Sequence, residues 1–198
     1  MSPYTPPEGK LCWKPGTMLY PLPAVLVSCG KDLEHSNLLT VAWTGIICTN
    51  PAMLSISVRP ERHSFDMIEE TMEFTVNLTT TAMARATDLC GVISGRDGDK
   101  WKKSGLTPAK GIANACPYVK ESPVSLECIV KSSMALGSHT MFIGEIVNVI
   151  ADESLLNPET GKFELSEASP LVYCHGAYYS LGDYLGHFGF SVKKSKKA

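Results

Sequence analysis

Residues 36–64 read SNLLTVAWTGIICTNPAMLSISVRPERHS, and their pattern indicates the fold of the chain. Two apolar, β-rich runs, residues 38–48 and 52–58, are joined there by a Thr-Asn-Pro turn. In the second run every other residue from Leu54 to Val58 is apolar, and the residues between them are serines. Such alternation predicts a strand with one buried face, and the two runs together predict an antiparallel hairpin or meander.

A cluster of cationic and hydroxyl side chains follows directly after the second run. It contains Arg59, Arg62, His63 and Ser64, beside the start of a helix predicted over residues 61–71. Guanidinium groups bind phosphate oxygens through paired hydrogen bonds, and helix N-termini favour anions. The cluster therefore predicts a phosphate site beside an apolar slot. The alternative is that the arginines form surface ion pairs with neighbouring glutamates, which contribute little to stability.

The rest of the chain continues the β-rich pattern. Further strands are predicted at residues 24–29, 73–78, 124–135, 140–151 and 171–174. A second helix is predicted at residues 81–92, and the polar, Gly-rich residues 94–111 form the longest candidate loop. Six or more strands with a few short helices predict one mainly β domain, a closed or partly closed barrel, over residues 1–198.

Composition excludes several classes of function. Eighteen basic and twenty acidic residues give a formal charge of −2, so no global field favours nucleic acid or an anionic membrane. No apolar run is long enough to span a bilayer, and the N-terminus lacks a signal-peptide core, so we expect a cytoplasmic protein. The basic C-terminal run, Lys193 to Lys197, is interpreted as a solvated tail.

The cysteine and motif patterns exclude further chemistry. Seven cysteines, an odd number without a CxxC pair, argue against a disulfide framework and a four-cysteine metal site. We expect no metal. The sequence also lacks four familiar motifs: GxxxxGK[ST] of P-loops, HExxH of zinc proteases, GxSxG of the hydrolase nucleophile elbow, and a GxGxxG that follows a strand. A P-loop or Rossmann nucleotide site is therefore not predicted.

Four blocks carry a resemblance to a known family. They are NLLTVAWTGIICTNPAMLSISVRPERHSFDMI, EFTVNL, LGSHTMFIGEIVNV and PLVYCHGAYYSLGDYLGHFGFS, in that order. Across residues 20–190 the chain resembles the flavin reductase-like family of FMN-binding split barrels, and within it the flavoredoxin branch. The resemblance implies a six-stranded Greek-key split β-barrel with a few peripheral helices. It also implies FMN as the cofactor and a homodimer with FMN at the interface.

The resemblance also implies roles for individual residues. Asn37 and Thr40 would lie near the phosphate or ribityl chain of FMN, and Arg59, Arg62, His63 and Ser64 would close over the phosphate. The strand expected along the isoalloxazine edge consists of Trp43, Thr44, Gly45, Ile46, Ile47 and Cys48. Trp43 alternatively packs in a core or interface, and Cys48 is alternatively a buried, inert thiol.

Two more residues match family positions near the flavin. Asn77 ends the EFTVNL strand, and its alternative role is a turn-forming amide. His139 is the candidate catalytic residue, because an imidazole near the flavin could stabilise charge on the reduced ring or relay a proton. In related reductases the nicotinamide is received near a GDH tripeptide, whereas this chain has Ser138 in place of the aspartate.

These observations predict an FMN-binding oxidoreductase. Electrons would pass from a reduced donor such as NAD(P)H through FMN to free flavin, a ferric chelate or a redox-protein partner. Because Ser138 replaces the aspartate of the GDH tripeptide, a second hypothesis is a flavoredoxin-like electron carrier without its own NAD(P)H reductase activity. A third hypothesis is a non-redox barrel that binds another phosphorylated ligand, such as a pyridoxal derivative, or heme.

Overall fold

A computed structural model describes residues 4–192 of the chain. The strands are β1 Leu22–Pro23, β2 Val25–Gly30, β3 Ser36–Val41, β4 Thr44–Cys48, β5 Met53–Val58, β6 Glu73–Leu78, β7 Pro108–Ala109, β8 Tyr118–Val119, β9 Val124–Leu136, β10 His139–Ala151, β11 Leu171–Cys174 and β12 Ala177–Ser180. The α-helices of this part of the chain are α1 His63–Thr71, α2 Ala84–Val92 and α3 Lys100–Ser104. The protein is therefore mainly β, as predicted.

The main sheet curls into a partly closed barrel, because no hydrogen-bonded ladder joins its end strands β3 and β4 in the described chain. Seven strands of the described chain form it, in the order β3-β2-β6-β9-β10-β5-β4, and every neighbouring pair is antiparallel. Strands β3 and β4 stand at the two ends of this order, although only Ala42 and Trp43 separate them in sequence. Such a connection reaches about 10 Å at most. The two ends of the sheet must therefore meet, and β3 contacts β5.

The predicted run 38–48 is corrected by this arrangement. It is two strands, since the chain leaves β3 at Val41, pairs there with β2, and starts β4 at Thr44 against β5. The Thr44 N–H donates to the Ala42 carbonyl at 3.0 Å, which marks a tight corner. The hairpin of β4 and β5 is confirmed, but the main sheet of the described chain has seven strands instead of six because of this corner.

Two apolar clusters lie on the two faces of β2 and β3. The barrel interior contains Val25, Val27, Leu39, Val41, Leu54, Ile56, Val58, Phe65, Ile68, Phe74, Val76 and Phe142, with Cys29 and Cys128. The second cluster packs α2 and α3 outside the barrel and contains Leu26, Leu38, Met83, Ala86, Cys90, Trp101, Leu106 and Val119. All six residues of β2 are buried, because this strand separates the two clusters.

The segments outside the barrel differ in part from the prediction. Residues 94–111 are not a continuous loop, since they contain α3, with Asp99 as its N-cap, and strand β7. Helix α1 begins at His63, two residues later than predicted. Strands β1, β11 and β12 form a small second sheet. The C-terminal lysine run lies outside the described residues, and no helix of residues 4–192 is long and apolar enough to cross a membrane.

Candidate functional site

The first component of the site is a cavity of about 430 Å³, the main cavity. Strand β3 lines it with Leu39 to Val41, β5 with Ser57 and Val58, and helix α2 with Asp88, Gly91 and Val92. The other lining side chains that matter here are Trp43, Arg59, Arg62, His139, Tyr173 and Tyr178. The cavity thus combines an apolar strand surface, several aromatic rings and two guanidinium groups.

The second component is a smaller cavity of about 230 Å³, the cationic pit. It shares Leu39, Arg59, Arg62 and Val92 with the main cavity, so the two are adjacent. Its other polar lining residues are Asn37, Glu61, His63, Ser64, Ser94 and Lys100. The structure therefore brings together seven of the residues predicted to bind the cofactor and His139 at one pair of cavities. The seven are Asn37, Thr40, Trp43, Arg59, Arg62, His63 and Ser64.

Helix α1 carries the pit's side chains because its start is anchored in the barrel. Phe65 and Ile68 are buried in the interior cluster, so the first turn of the helix is held at the barrel end. Arg62 is the N-cap residue in extended conformation, and its guanidinium Nη1 donates to the Gly91 carbonyl of α2 at 3.1 Å. The N-terminus of α1 and the Arg62 charge consequently lie at the same cavity, which suits an anion.

Arg59 also makes the alternative contact anticipated from the sequence. Its Nη1 donates to Glu61 Oε1 at 3.0 Å, and both side chains are more than half exposed. An exposed pair of this kind contributes little to stability. Arg59 lines both cavities all the same, so a bound anion can compete for its guanidinium.

The wall of the pit is built by Asn37, Ser64 and Gly95. Asn37 and Ser64 are buried, and the Asn37 amide nitrogen donates to the Ser64 hydroxyl at 2.8 Å. A Cβ placed on Gly95 would lie 2.6 Å from Asn37 Oδ1 and 2.5 Å from His63 Cδ2. A larger residue at position 95 would therefore crowd the polar wall of the pit.

Lys100 is a site residue that the sequence analysis missed. It is 3 % exposed, lines the pit, and donates from Nζ to the carbonyls of Leu38 at 2.9 Å and Cys90 at 2.8 Å. Burial lowers the pKa of its ammonium group, while nearby Cys90 opposes that shift. An ammonium has three donors, so one N–H remains for a ligand. The residue was missed because the surrounding sequence indicated a loop.

A pair of aromatic rings, Trp43 and His139, lines the main cavity but not the pit. The Trp43 and His139 rings are parallel, with an interplanar angle of 2° and centroids 6.3 Å apart. The Ser138 hydroxyl lies 2.9 Å from His139 Nδ1. His139 therefore lines the main cavity with one ring nitrogen engaged by its neighbour and the ring oriented by Trp43.

The remaining predicted strand residues face a different cavity. Thr44, Gly45, Ile46 and Ile47 line a third cavity of about 650 Å³, which shares Ala42, Trp43 and Ser57 with the main cavity. Segment 16–20 forms its opposite wall. Cys48 lines neither this cavity nor the main one. Of the predicted strand residues 43–48, Trp43 is the one that also lines the main cavity.

Asn77 is placed apart from both the main cavity and the pit. It is completely buried between strands, and its amide nitrogen donates to the Leu26 carbonyl at 3.0 Å and the Ser28 hydroxyl at 3.0 Å. Its Oδ1 accepts from the Val119 N–H and the Ser125 hydroxyl, each at 2.8 Å. This network ties the strands together, so the structure indicates an architectural role at this position.

The donor set fits a phosphorylated planar ligand. The pit supplies two guanidinium groups, a buried ammonium, two serine hydroxyls and a helix N-terminus, which are the groups that bind phosphate. The main cavity supplies apolar and aromatic walls of the kind that enclose an aromatic ring. Among residues 4–192 no group of three or more His, Cys, Asp or Glu side chains is placed to hold a metal ion. The fold and site define a barrel with a cationic pocket beside an aromatic-lined cavity.

Comparison with known proteins identifies the family. The chain belongs to the flavin reductase like domain family, whose sequence model matches residues 17–182. The structure of flavoredoxin from Desulfovibrio vulgaris (Miyazaki F) aligns with a TM-score of 0.85 and 32 % identity, over 93 % of this chain and 100 % of that chain. The flavoredoxin from Methanosarcina acetivorans aligns with a TM-score of 0.83 and 28 % identity, over 93 % and 97 % of the two chains.

A sequence relative extends the comparison to an enzyme. An NADH-dependent FMN reductase from Streptomyces nodosus subsp. asukaensis is 24 % identical over 170 residues, which cover 83 % of this chain and 81 % of that protein. The predicted resemblance to the flavin reductase-like split barrels, and to flavoredoxin among them, is thus confirmed. Family membership supports a flavin-related redox function.

Proposed function

We propose that this protein binds FMN and acts as an oxidoreductase of the flavin reductase type. Electrons pass from a reduced donor, with NAD(P)H as the first candidate, through FMN to free flavin, a ferric chelate or a protein. The observation that carries the proposal is the adjacency of the cationic pit and the main cavity through Arg59 and Arg62. FMN has a phosphate at one end and a planar ring at the other, and the two cavities suit these two ends.

Each part of the site has a task in this proposal. Arg59, Arg62 and Lys100 neutralise the phosphate, and Asn37 keeps the Ser64 hydroxyl in place beside it. These charge-assisted contacts are stronger than neutral ones and orient the ligand. When bound, FMN supplies the reversible uptake and release of electrons, while the protein binds, orients and partly shields it.

His139 is the proposed catalytic residue. Its imidazole lines the main cavity, and Trp43 fixes the plane of its ring. Because Ser138 engages Nδ1, Nε2 is the nitrogen left to hold or move a proton beside the ligand. Replacement by asparagine should lower turnover with little change in FMN affinity if this role is correct.

The proposal includes a homodimer with FMN at its interface. Strand β4 ends the main sheet, and its side chains Ile46 and Ile47 are 68 % and 49 % exposed. An edge strand with exposed apolar residues favours association with a second copy. Light scattering should give a dimer that Ile46→Lys disrupts, whereas Ile112→Lys, at a position 73 % exposed on another segment, should leave it intact. A monomeric native protein would contradict this part.

The test of the cofactor is the visible spectrum of the purified protein, followed by titration with FMN. We expect flavin absorption bands, or tight binding of added FMN to the apo form. A colourless protein that does not bind added FMN would overturn the proposal, and binding of pyridoxal phosphate or heme instead would favour the third hypothesis from the sequence.

A flavoredoxin-like electron carrier is the second candidate function. The similarity to two flavoredoxin structures and the presence of Ser138 in the GSH tripeptide favour it. Steady-state oxidation of NADH and NADPH, with free FMN or a ferric chelate as acceptor, separates the two functions. Turnover with either donor supports the reductase. An FMN-loaded protein that turns over neither donor but accepts electrons from a chemical reductant supports the carrier.

A further inference from the structure

Asp88 gives the main cavity an acidic group on the side of helix α2. It is the one acidic residue among the described residues that line this cavity, whose other charged side chains are Arg59 and Arg62. None of the ion pairs within residues 4–192 includes Asp88. The carboxylate therefore keeps most of its hydrogen-bond acceptor capacity for a molecule in the cavity.

Tyr178 of strand β12 lines the same cavity as this carboxylate. Burial, then the charge of Asp88 and hydrogen bonding to it, raise the pKa of Tyr178 to about 12. The phenol therefore stays protonated in the neutral range and offers its O–H to the carboxylate. Tyr173 packs edge-on against Tyr178, with ring centroids 5.7 Å apart, and holds the phenol in this position.

The position of Asp88 relative to the cationic pit limits what it can contact. Gly91, whose carbonyl accepts from Arg62, lies three residues further along α2, a rise of about 4.5 Å. Asp88 thus lies close to the phosphate end of the main cavity, but outside the pit itself. A carboxylate so near a phosphate is repelled by it unless an uncharged donor lies between them.

We propose that Asp88 accepts a hydrogen bond from a hydroxyl of the ligand's polyol chain, with Tyr178 as a positioning residue. This inference rests on the proposed function, in which FMN occupies the site and its ribityl chain joins the phosphate to the ring. A hydroxyl that donates to a carboxylate forms a charge-assisted bond, roughly twice as strong as a neutral one. The ligand is then recognised at three points. The pit binds the phosphate, Asp88 binds a hydroxyl, and the wall of the main cavity formed by Trp43 and His139 contacts the ring.

The test compares three flavins that differ in the parts they carry. FMN has both the phosphate and the ribityl chain, riboflavin has the chain only, and lumiflavin has the ring without either. Dissociation constants for the apo protein are measured by fluorescence for the native protein and for Asp88→Asn, Asp88→Ala and Tyr178→Phe. The matched controls are Asp66→Asn, whose side chain is 72 % exposed on α1, and Tyr179→Phe, whose ring is 56 % exposed.

The expected pattern identifies the hydroxyl contact. Asp88→Ala should weaken riboflavin binding about 10-fold, as expected for a hydrogen bond to a charged group, and leave lumiflavin binding within about 2-fold. Asp88→Asn should also weaken riboflavin binding, but less than Asp88→Ala does, because the amide oxygen still accepts a hydrogen bond. FMN should lose no more affinity than riboflavin, since the substitution also removes repulsion of the phosphate. Tyr178→Phe should likewise weaken the binding of riboflavin more than that of lumiflavin. Both control variants should bind the three flavins as the native protein does.

Three results would overturn the inference. Equal weakening of all three flavins, or a loss of thermal stability without ligand, would assign Asp88 to the packing of the small sheet. Tighter FMN binding with unchanged riboflavin binding would assign it to phosphate repulsion only. Failure of the native protein to bind any of the flavins would remove both this inference and the proposed function, whereas the first two results would leave the proposed function standing.

Discussion

Two buried asparagines, Asn37 and Asn77, lie on neighbouring parts of the same barrel and have opposite surroundings. Asn77 has both ends of its amide engaged by protein groups, including the Val119 N–H and the Ser125 hydroxyl. Asn37 donates to Ser64 and lines the cationic pit. Both matched family positions beside a flavin, yet only one is placed where a ligand can reach it. The hydrogen bonds that an asparagine makes within the protein, more than its identity, therefore separate a site residue from a structural one.

Loss of the Asn77 hydrogen bonds should have the greatest effect on stability. Asn77→Ala should lower the free energy of unfolding by about 3 kcal/mol, because it leaves buried donors such as the Val119 N–H without a partner. Urea unfolding of the apo protein measures the change, and FMN affinity of the folded fraction should stay the same. Asn37→Ala provides the matched comparison. A larger stability loss in Asn37→Ala than in Asn77→Ala would reverse the distinction drawn between these two residues.

The second prediction concerns the charge of the pit. Arg62→Ala should weaken FMN binding roughly 10- to 100-fold, as expected for loss of a hydrogen-bonded charge. The melting temperature of the apo protein should change little, since within residues 4–192 the guanidinium of Arg62 donates one hydrogen bond, to the Gly91 carbonyl. Arg85→Ala, on the exposed face of α2, is the control and should bind FMN normally. If Arg62→Ala lowers the melting temperature of the apo protein and leaves FMN affinity unchanged, the role of Arg62 is purely structural.

A third, smaller effect is expected at Gly95. In Gly95→Ala the new Cβ would meet Asn37 Oδ1 at 2.6 Å and His63 Cδ2 at 2.5 Å, so the pit wall must shift. We expect FMN affinity to fall about 10-fold, the effect of one displaced ligand contact. Gly182→Ala, where a Cβ meets nothing within 4 Å, is the matched control. Native affinity in Gly95→Ala would show that the wall of the pit is not part of the binding site.

Alkylation of the native cysteines tests which parts of the barrel a reagent can reach, and it requires no substitution. Burial raises the pKa of Cys29 to about 11 and of Cys128 to about 12, and also raises the pKa of Cys90 and Cys116. Since the thiolate is the reactive form, these thiols should resist alkylation at pH 8. Only the partly exposed Cys12, Cys48 and Cys174 should react in the native protein. Mass spectrometry after iodoacetamide treatment should count at most three adducts, and seven after unfolding.

The barrel was predictable from sequence because its signals are local. The β4–β5 hairpin follows from alternating side chains and a turn, and α1 follows from apolar spacing after the arginines. The corner at Ala42 and Trp43 was missed, because both residues are compatible with a continuous apolar strand. Lys100 and Asp88 were missed for a different reason. Charged residues in a polar loop or on a helix are usually solvated, and nothing in their immediate sequence indicates that they line a cavity.

The family, the mainly β fold and the cluster from Arg59 to Ser64 follow from the amino-acid sequence alone, because they depend on contiguous residues and their order. Which polar groups contact one another depends instead on the folded chain. Strand pairing engages both ends of Asn77, and barrel closure brings Asn37 and Thr40 of β3 to the same pair of cavities as the arginines and α2. Burial and hydrogen-bond saturation depend on contacts between residues distant in sequence, so they emerge only when the chain folds.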